Sequence, residues 1–194
     1  MKIKESTAPE TFVCPWWLIH SFDNPLRRLA QNPERILQNL IHPGDCCLDV
    51  GCGYGYFTIP LAKMVGPSGT VVAVDVQSEM LEGMRRRAKR EVVLSRIRAR
   101  QADASGLHVE GMFDFALAFW MLHEVPDQGA LLGEIYGALK PGGQLLLAEP
   151  KVHVDSLAFL RTVRLAEQVG FARVLEQRIF FSRSLLMSKV VTGV

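Results

Sequence analysis

Short uninterrupted apolar runs recur along the chain, among them Val71-Val72-Ala73-Val74 and Leu145-Leu146-Leu147-Ala148, separated by longer segments that mix charged and apolar residues. Such runs mark strands buried on both faces, as in a parallel sheet covered by helices. The order predicts helices at about 33–41, 56–64, 78–89, 128–138 and 155–168, and strands near 46–50, 71–75, 97–101, 113–119, 143–149, 172–180 and 185–192. Strand and helix alternate, the pattern of an α/β doubly wound sheet. Pro67-Ser68-Gly69 and Lys140-Pro141-Gly142-Gly143 supply restricted and permissive dihedrals between a helix and the next strand. Only a few residues around Phe181-Ser182-Arg183 join the last two strands, too few for a parallel crossover, so these should pair antiparallel. The chain shows no internal repeat.

The candidate chemistry starts at residues 48–55, Leu-Asp-Val-Gly-Cys-Gly-Tyr-Gly, where an apolar strand ends in Asp49 and a loop carries Gly51, Gly53 and Gly55. A second acidic residue, Asp75, ends the next strand, placed to accept hydrogen bonds from two ribose hydroxyls. A dinucleotide loop would read Gly-x-Gly-x-x-Gly/Ala, but its sixth position here is Tyr56. Asp49 would repel a pyrophosphate and suits an α-ammonium, while the following helix N-terminus favours a carboxylate.

These features resemble the class I S-adenosylmethionine-dependent methyltransferases, and in particular the methyltransferase type 11-like subgroup that contains small-molecule and quinone methyltransferases. The resemblance runs from about residue 36 to the C-terminus. It also rests on Asp103-Ala104 after the third strand, Leu122-His123-Glu124-Val125-Pro126-Asp127 after the fourth, and the Pro-Gly-Gly turn before the fifth. It implies a Rossmann-like fold with a seven-stranded, mostly parallel sheet and an antiparallel C-terminal hairpin. It also implies S-adenosylmethionine as cofactor and S-adenosylhomocysteine as product. Gly51, Cys52, Gly53 and Gly55 are then expected at the methionine moiety with Asp49 near its ammonium, and Asp75 at the ribose. Val76 and Met80 would flank adenine, Asp103 and Ala104 would meet its amino group, and Phe119 would form a wall near the methionine end.

Composition narrows the partners. At 194 residues and 48% hydrophobic content the chain can bury one sizeable core. Twenty-two basic against twenty acidic side chains give a net charge of +2, unlike a dedicated nucleic-acid binder. No apolar run approaches the ~20 residues needed to span a bilayer. The first residues lack the apolar core of a secretion signal, so a cytoplasmic monomer or homodimer is expected. The cysteines Cys14, Cys46, Cys47 and Cys52 show no Cys-x-x-Cys spacing and read as small buried hydrophobes. The competing reading has Cys14 and Cys52 meeting over the cofactor to bind a soft metalloid. No metal site is expected.

Residues 1–32 form an aromatic-rich N-terminal segment before the main domain at 33–194. Trp16, Trp17 and Phe22, with Trp120, are candidates to line the acceptor pocket, the segment acting as a lid; alternatively these aromatics staple the N-terminus to the sheet or sit at a dimer contact. The basic stretch Arg85-Arg86-Arg87-Ala88-Lys89-Arg90 suits the C-terminal end of a helix and a solvated face. With Arg96, Arg98 and Arg100 it would make a stripe for RNA, but the motifs of base-amino and pyrimidine-C5 methylation are absent after the fourth strand. The acceptor is therefore expected to be small or lipid-like. Methyl transfer needs alignment above all, and a base only for poor nucleophiles. His123 is the candidate base and Glu124 its candidate partner or an acceptor ligand; otherwise His123 packs or caps the next helix. A noncatalytic cofactor-binding module, an RNA methyltransferase and a nicotinamide-dependent oxidoreductase are the alternative functions.

Overall fold

The computed structural model describes residues 25–103 and 105–190. Seven strands, β1 (Cys46–Val50), β2 (Thr70–Asp75), β3 (Ile97–Gln101), β4 (Phe113–Phe119), β5 (Leu139–Pro150), β6 (Phe171–Leu175) and β7 (Ser182–Lys189), form one sheet in the order β3-β2-β1-β4-β5-β7-β6. β1 to β5 pair in parallel, and β7 runs antiparallel to both β5 and β6. This is the expected doubly wound sheet with its C-terminal hairpin.

Alternation along each central strand builds two cores. Cys47, Ala73, Leu117 and Leu146 face one layer with Leu61 of α3 (Thr58–Met64) and Met84 of α4 (Ser78–Arg90). Leu48, Val72, Ala116 and Leu147 face the other with Leu132 and Ile135 of α5 (Gln128–Ala138) and Val163 of α6 (Ser156–Val169). Because both faces are covered there, Val71 to Val74 of β2 and Leu145 to Ala148 of β5 read as continuous apolar runs, which the edge strand β3, Ile-Arg-Ala-Arg-Gln, does not. Fully burying one such side chain is worth about 1.5–3 kcal/mol. Local chemistry sets the helix starts: Asp127 and Asp155 accept from the N–H groups of Ala130 and Ala158, and Gly170 ends α6 in the left-handed conformation.

The structure departs from the sequence expectation at several places, the helix expected over 33–41 ending at Leu37 among them. A six-residue helix, α1 (Pro25–Ala30), precedes α2 (Pro33–Leu37); it is too short to show a period, although proline at the first helical position is a start signal. Lys140-Pro141-Gly142-Gly143 lies inside β5 as an irregularity, with Gly142 at φ 79° and pairing that jumps from Phe113↔Leu139 to Phe115↔Gln144. β6 stops at Leu175 and β7 begins at Ser182, so residues 176–181 are loop rather than strand.

Glycine positions test the packing. A Cβ at Gly69 would lie 2.4 Å from Val65 Cβ and 2.7 Å from the carbonyl oxygens of Asp45 and Val65, backbone atoms that cannot yield. Gly69→Ala should lose about 1–3 kcal/mol, read as a lower urea midpoint. Gly137, exposed in α5 with open space where an added methyl would sit, should respond oppositely, Gly137→Ala gaining up to ~1 kcal/mol from helix propensity.

Candidate active site

The strand order reverses direction between β1 and β4, opening a crevice at the carboxyl ends of the central strands. Asp49, near the end of β1, is 3% exposed, and Thr58 Oγ1, at the first residue of α3, donates to it at 2.5 Å. Burial pushes its carboxyl up to about 7; the Thr58 hydrogen bond opposes the shift and the nearby Asp75 charge adds to it.

The loop after Asp49 holds Gly51, Gly53 and Gly55 at φ 70°, 52° and 81°, the left-handed region that favours glycine. The N–H groups of Gly51 and Cys52 both donate to Val74 O, at 2.8 and 2.9 Å, which binds the loop to the end of β2. Gly53 N–H then donates to Asp75 Oδ2 and Gln77 N–H to Oδ1, each at 2.9 Å. Burial raises the Asp75 carboxyl, against the pull of these backbone donors. Each Asp75 oxygen retains acceptor capacity beyond its backbone partner. Two carboxylates flank the loop, and among the described residues no basic side chain pairs with either Asp49 or Asp75. That donor set fits a ligand with an ammonium and a ribose, as S-adenosylmethionine has.

The remaining expected cofactor residues are spread around this centre. Val76 is 49% exposed beside Asp75, whereas Met80, at the start of α4, is buried. Asp103 Oδ1 accepts from Ser105 N (2.7 Å), Ser105 Oγ (2.6 Å) and His108 Nε2 (2.8 Å), and those hydrogen bonds hold its carboxyl well below the usual range. Cys52 is buried and its thiol is pushed up by burial. Ala104, Cys14, Trp16, Trp17 and Phe22 lie outside the described residues, and with them the proposed Cys14–Cys52 approach and most of the aromatic lid.

Phe119 ends β4 and packs on Phe57 with ring centroids 4.4 Å apart. Trp120 follows at φ 59°, an unusual conformation for a bulky residue, fixed by its N–H on Ala148 O (2.7 Å) and its indole N–H on Ser182 Oγ (2.9 Å). Arg27 of α1 lies over this wall, 4.1 Å from the Tyr56 ring centroid and 5.0 Å from that of Trp120. Tyr56 Oη donates to Gln31 O at 2.9 Å, and buried Gln31 donates through Nε2 to Phe180 O at 2.7 Å. The end of the N-terminal segment thus spans the glycine loop and the β6–β7 loop.

His123 sits in a single 3₁₀ turn, Leu122–Glu124, just past β4. Its Nδ1 makes a short hydrogen bond with Glu149 Oε2, while Glu149 Oε1 accepts from Leu122 N at 2.9 Å. Glu149 is 1% exposed. Glu124, the expected partner, lies on the other side of the ring, 3.9 Å from Nε2, and His153 stacks on it at 5.7 Å. Burial lowers the His123 pKa, but the Glu149 hydrogen bond and charge, with Glu124, outweigh it and raise the value. Glu149 is the residue that sequence reasoning missed, together with Arg27 and Gln31. Its signal was an acidic side chain at the carboxyl end of an apolar parallel strand, the position that Asp49 and Asp75 also occupy. Among the described residues no group of His, Cys, Asp and Glu is arranged to hold a metal ion.

A family model described as a methyltransferase domain matches residues 47–143. A demethylmenaquinone methyltransferase of Lactobacillus johnsonii is 37% identical over 110 residues, 56% of this chain and 45% of the relative. A ubiquinone/menaquinone biosynthesis C-methyltransferase of a Marinomonas species is 31% identical over 115 residues, 59% of this chain and 46% of the relative. The chain therefore spans about half the length of these curated relatives. A solved SAM-dependent methyltransferase from Aquifex aeolicus superposes with a TM-score of 0.82 at 22% identity, covering 92% of this chain and all of the other. A [4+2]-cyclase superposes with a TM-score of 0.71 at 17% identity, covering 82% and 81% of the two chains. Likeness at these identities establishes the fold alone.

The buried Asp49 carboxyl predicts a pH signature. Its folded pKa is raised above the unfolded value of 3.8, so the native state binds the extra proton, and that stabilisation is present below 3.8 and lost as pH rises to about 7. The stability difference between wild type and Asp49→Asn should shift in the variant's favour across this window and level off above it. Thermal denaturation of both proteins from pH 4 to pH 8 reads it; a difference constant with pH would contradict the assignment.

Proposed function

The chain belongs to the methyltransferase-domain family of class I, S-adenosylmethionine-dependent enzymes, and we propose that it methylates a small, planar or lipid-like acceptor of the quinone type. The observation that carries the cofactor side is the pair of carboxylates, Asp49 and Asp75, on either side of the glycine loop, with no basic side chain paired to either among the described residues. The names of the relatives support the acceptor class. When bound, S-adenosylmethionine supplies a methyl group on a sulfonium, a leaving group that asks the protein mainly for alignment.

In this reading Asp49 receives the ammonium, partly through water, against the backbone of Gly51, Cys52, Gly53 and Gly55, and Asp75 receives the ribose hydroxyls. Val76 and Met80 contribute apolar contact for adenine, Asp103 and Ala104 meet its amino group, and Phe119 closes the methionine end. Trp120, with Trp16, Trp17 and Phe22 from the N-terminal lid, borders the acceptor. His123 is the general base that takes the acceptor proton when one must leave, and Glu124 contacts the acceptor. Glu149 holds the His123 ring through Nδ1 and leaves Nε2 for the acceptor.

A small acceptor suits the basic stretch as the structure holds it. Arg87 donates to Tyr54 O at 3.2 Å and Arg86 pairs with Glu82 at 3.7 Å on α4, and Arg96, in the 3₁₀ turn before β3, donates to Ala62 O at 3.0 Å, all structural roles. We place the enzyme in the cytoplasm, as a monomer or homodimer, with nucleic acid outside its substrates.

Incubation of the protein and labelled S-adenosylmethionine with extract of the source organism tests this. Label should enter the lipid or small-metabolite fraction; label confined to RNA or protein would overturn the acceptor class. With the labelled acceptor in hand, His123→Ala should lower turnover by about 10²-fold or more. Wild-type turnover should rise as pH passes the raised His123 pKa, a limb the variant lacks. Unchanged turnover in the variant would remove the base.

A further inference from the structure

The proposed transfer leaves one part of the site's border unused. Phe180 and Phe181 are each 57% exposed, their ring centroids 4.3 Å apart. The loop that carries them is anchored. Ile179 is buried, Gln31 Nε2 donates to Phe180 O, and Ser182 N donates to Ile179 O at 3.0 Å. Phe181 takes a φ of 55°, which a bulky residue adopts only where its surroundings impose it. A firmly held loop therefore displays two aromatic rings to solvent.

Two further elements extend this edge. Lys151 N donates to Phe181 O at 2.9 Å, so the turn after β5 lies beside the pair, and it exposes 78% of Val152. Arg183 donates from Nε and Nη2 to Ser156 Oγ at 3.3 and 3.0 Å, which brings in the first turn of α6 with Leu157 68% exposed. His153, stacked on His123, belongs to the same turn as Val152, so the apolar rim stands next to the proposed base. Lys151 directly precedes Val152, Arg178 lies two residues before Phe180 in the same loop, and Arg161 and Arg183 both act on Asp155 at the start of α6; against Asp155 and Glu176 these segments carry a surplus of positive charge.

We propose that this rim docks on the surface of an anionic lipid bilayer, Phe180, Phe181, Val152 and Leu157 entering the headgroup region and the exposed Lys151, Arg161 and Arg178 side chains meeting lipid phosphates. Protruding apolar side chains ringed by Lys and Arg are the chemistry of an interfacial membrane contact. The charge favours an anionic surface. Its purpose rests on the lipid-like acceptor proposed above, since a site mouth held against the bilayer lets such an acceptor enter without crossing water. The contact itself requires neither cofactor nor acceptor.

Co-sedimentation of the full chain with vesicles tests it, using equal parts phosphatidylcholine and phosphatidylglycerol, and phosphatidylcholine alone. The wild type should partition onto the mixed vesicles and release as salt is raised. Phe180→Ser with Phe181→Asn, asparagine tolerating the positive φ, should cut partitioning about tenfold or more. Lys151→Glu with Arg178→Glu should abolish the preference for the anionic vesicles. Both variants should keep the thermal midpoint and S-adenosylhomocysteine affinity of the wild type, and that titration separates failure of the docking from failure of the cofactor reading. A wild type that stays in the supernatant would overturn the proposal and leave the rim as a protein-facing surface. Equal partitioning of the Phe variant would overturn it by placing the lipid contact elsewhere on the chain.

Discussion

A carboxylate taken out of water is costly unless it is paired, and Asp49, near the end of β1, is buried with Thr58 Oγ1 donating to it and its carboxyl pushed up by burial. The sheet makes this arrangement hard to avoid. β1 is flanked by β2 and β4, the side chain next to Val50 must point into one of the two helix layers, and the glycine loop has to turn immediately afterwards. Asp75, at the end of β2, closes the same loop by accepting from Gly53 N–H. A cationic group placed between loop and crevice would offset the cost of burying these carboxylates, the electrostatic basis of the proposed cofactor recognition.

The same logic recurs at the carboxyl end of β5. Glu149 is as buried as Asp49, but its two oxygens are satisfied by Leu122 N–H and His123 Nδ1. Asp49 is proposed to receive the ligand's ammonium, whereas Glu149 orients the His123 ring. Parallel strands thus deliver three carboxylates to one edge of the sheet with different tasks, set by what the following turn supplies. Around them, α1 reaches from the glycine loop through Tyr56 to the β6–β7 loop through Gln31, with Arg27 over Tyr56 and Trp120. That makes the end of the N-terminal segment part of the site's wall.

What the sequence disclosed followed the strength of its local signals. Continuous apolar runs marked β2 and β5 most clearly, whereas β3, Ile-Arg-Ala-Arg-Gln at the edge of the sheet, carries no such run, and the short link around Phe181-Ser182-Arg183 required the terminal pair to be antiparallel. Asp49, Asp75 and the three glycines were legible because the turn demands their backbone conformation and the strand ends fix their place. Glu149 was not, since its role depends on a contact with His123 that arises only when β4 and β5 lie side by side. Nearness in sequence suggested Glu124 instead. α1 escaped because six residues carry no period, and the strand boundaries of the hairpin shifted because Phe180 and Phe181, apolar enough for a strand, are displayed in a loop.

Calorimetric titration with S-adenosylhomocysteine, with NAD as comparison, tests the central claim most directly: the two loop-flanking carboxylates recognise an amino-acid-bearing nucleoside. S-adenosylhomocysteine should bind and NAD should not, with a loss of about 10- to 100-fold in Asp75→Asn, the worth of a hydrogen bond to a charged group. Binding of NAD at comparable affinity, or an Asp75→Asn protein that binds S-adenosylhomocysteine as tightly as wild type, would contradict it.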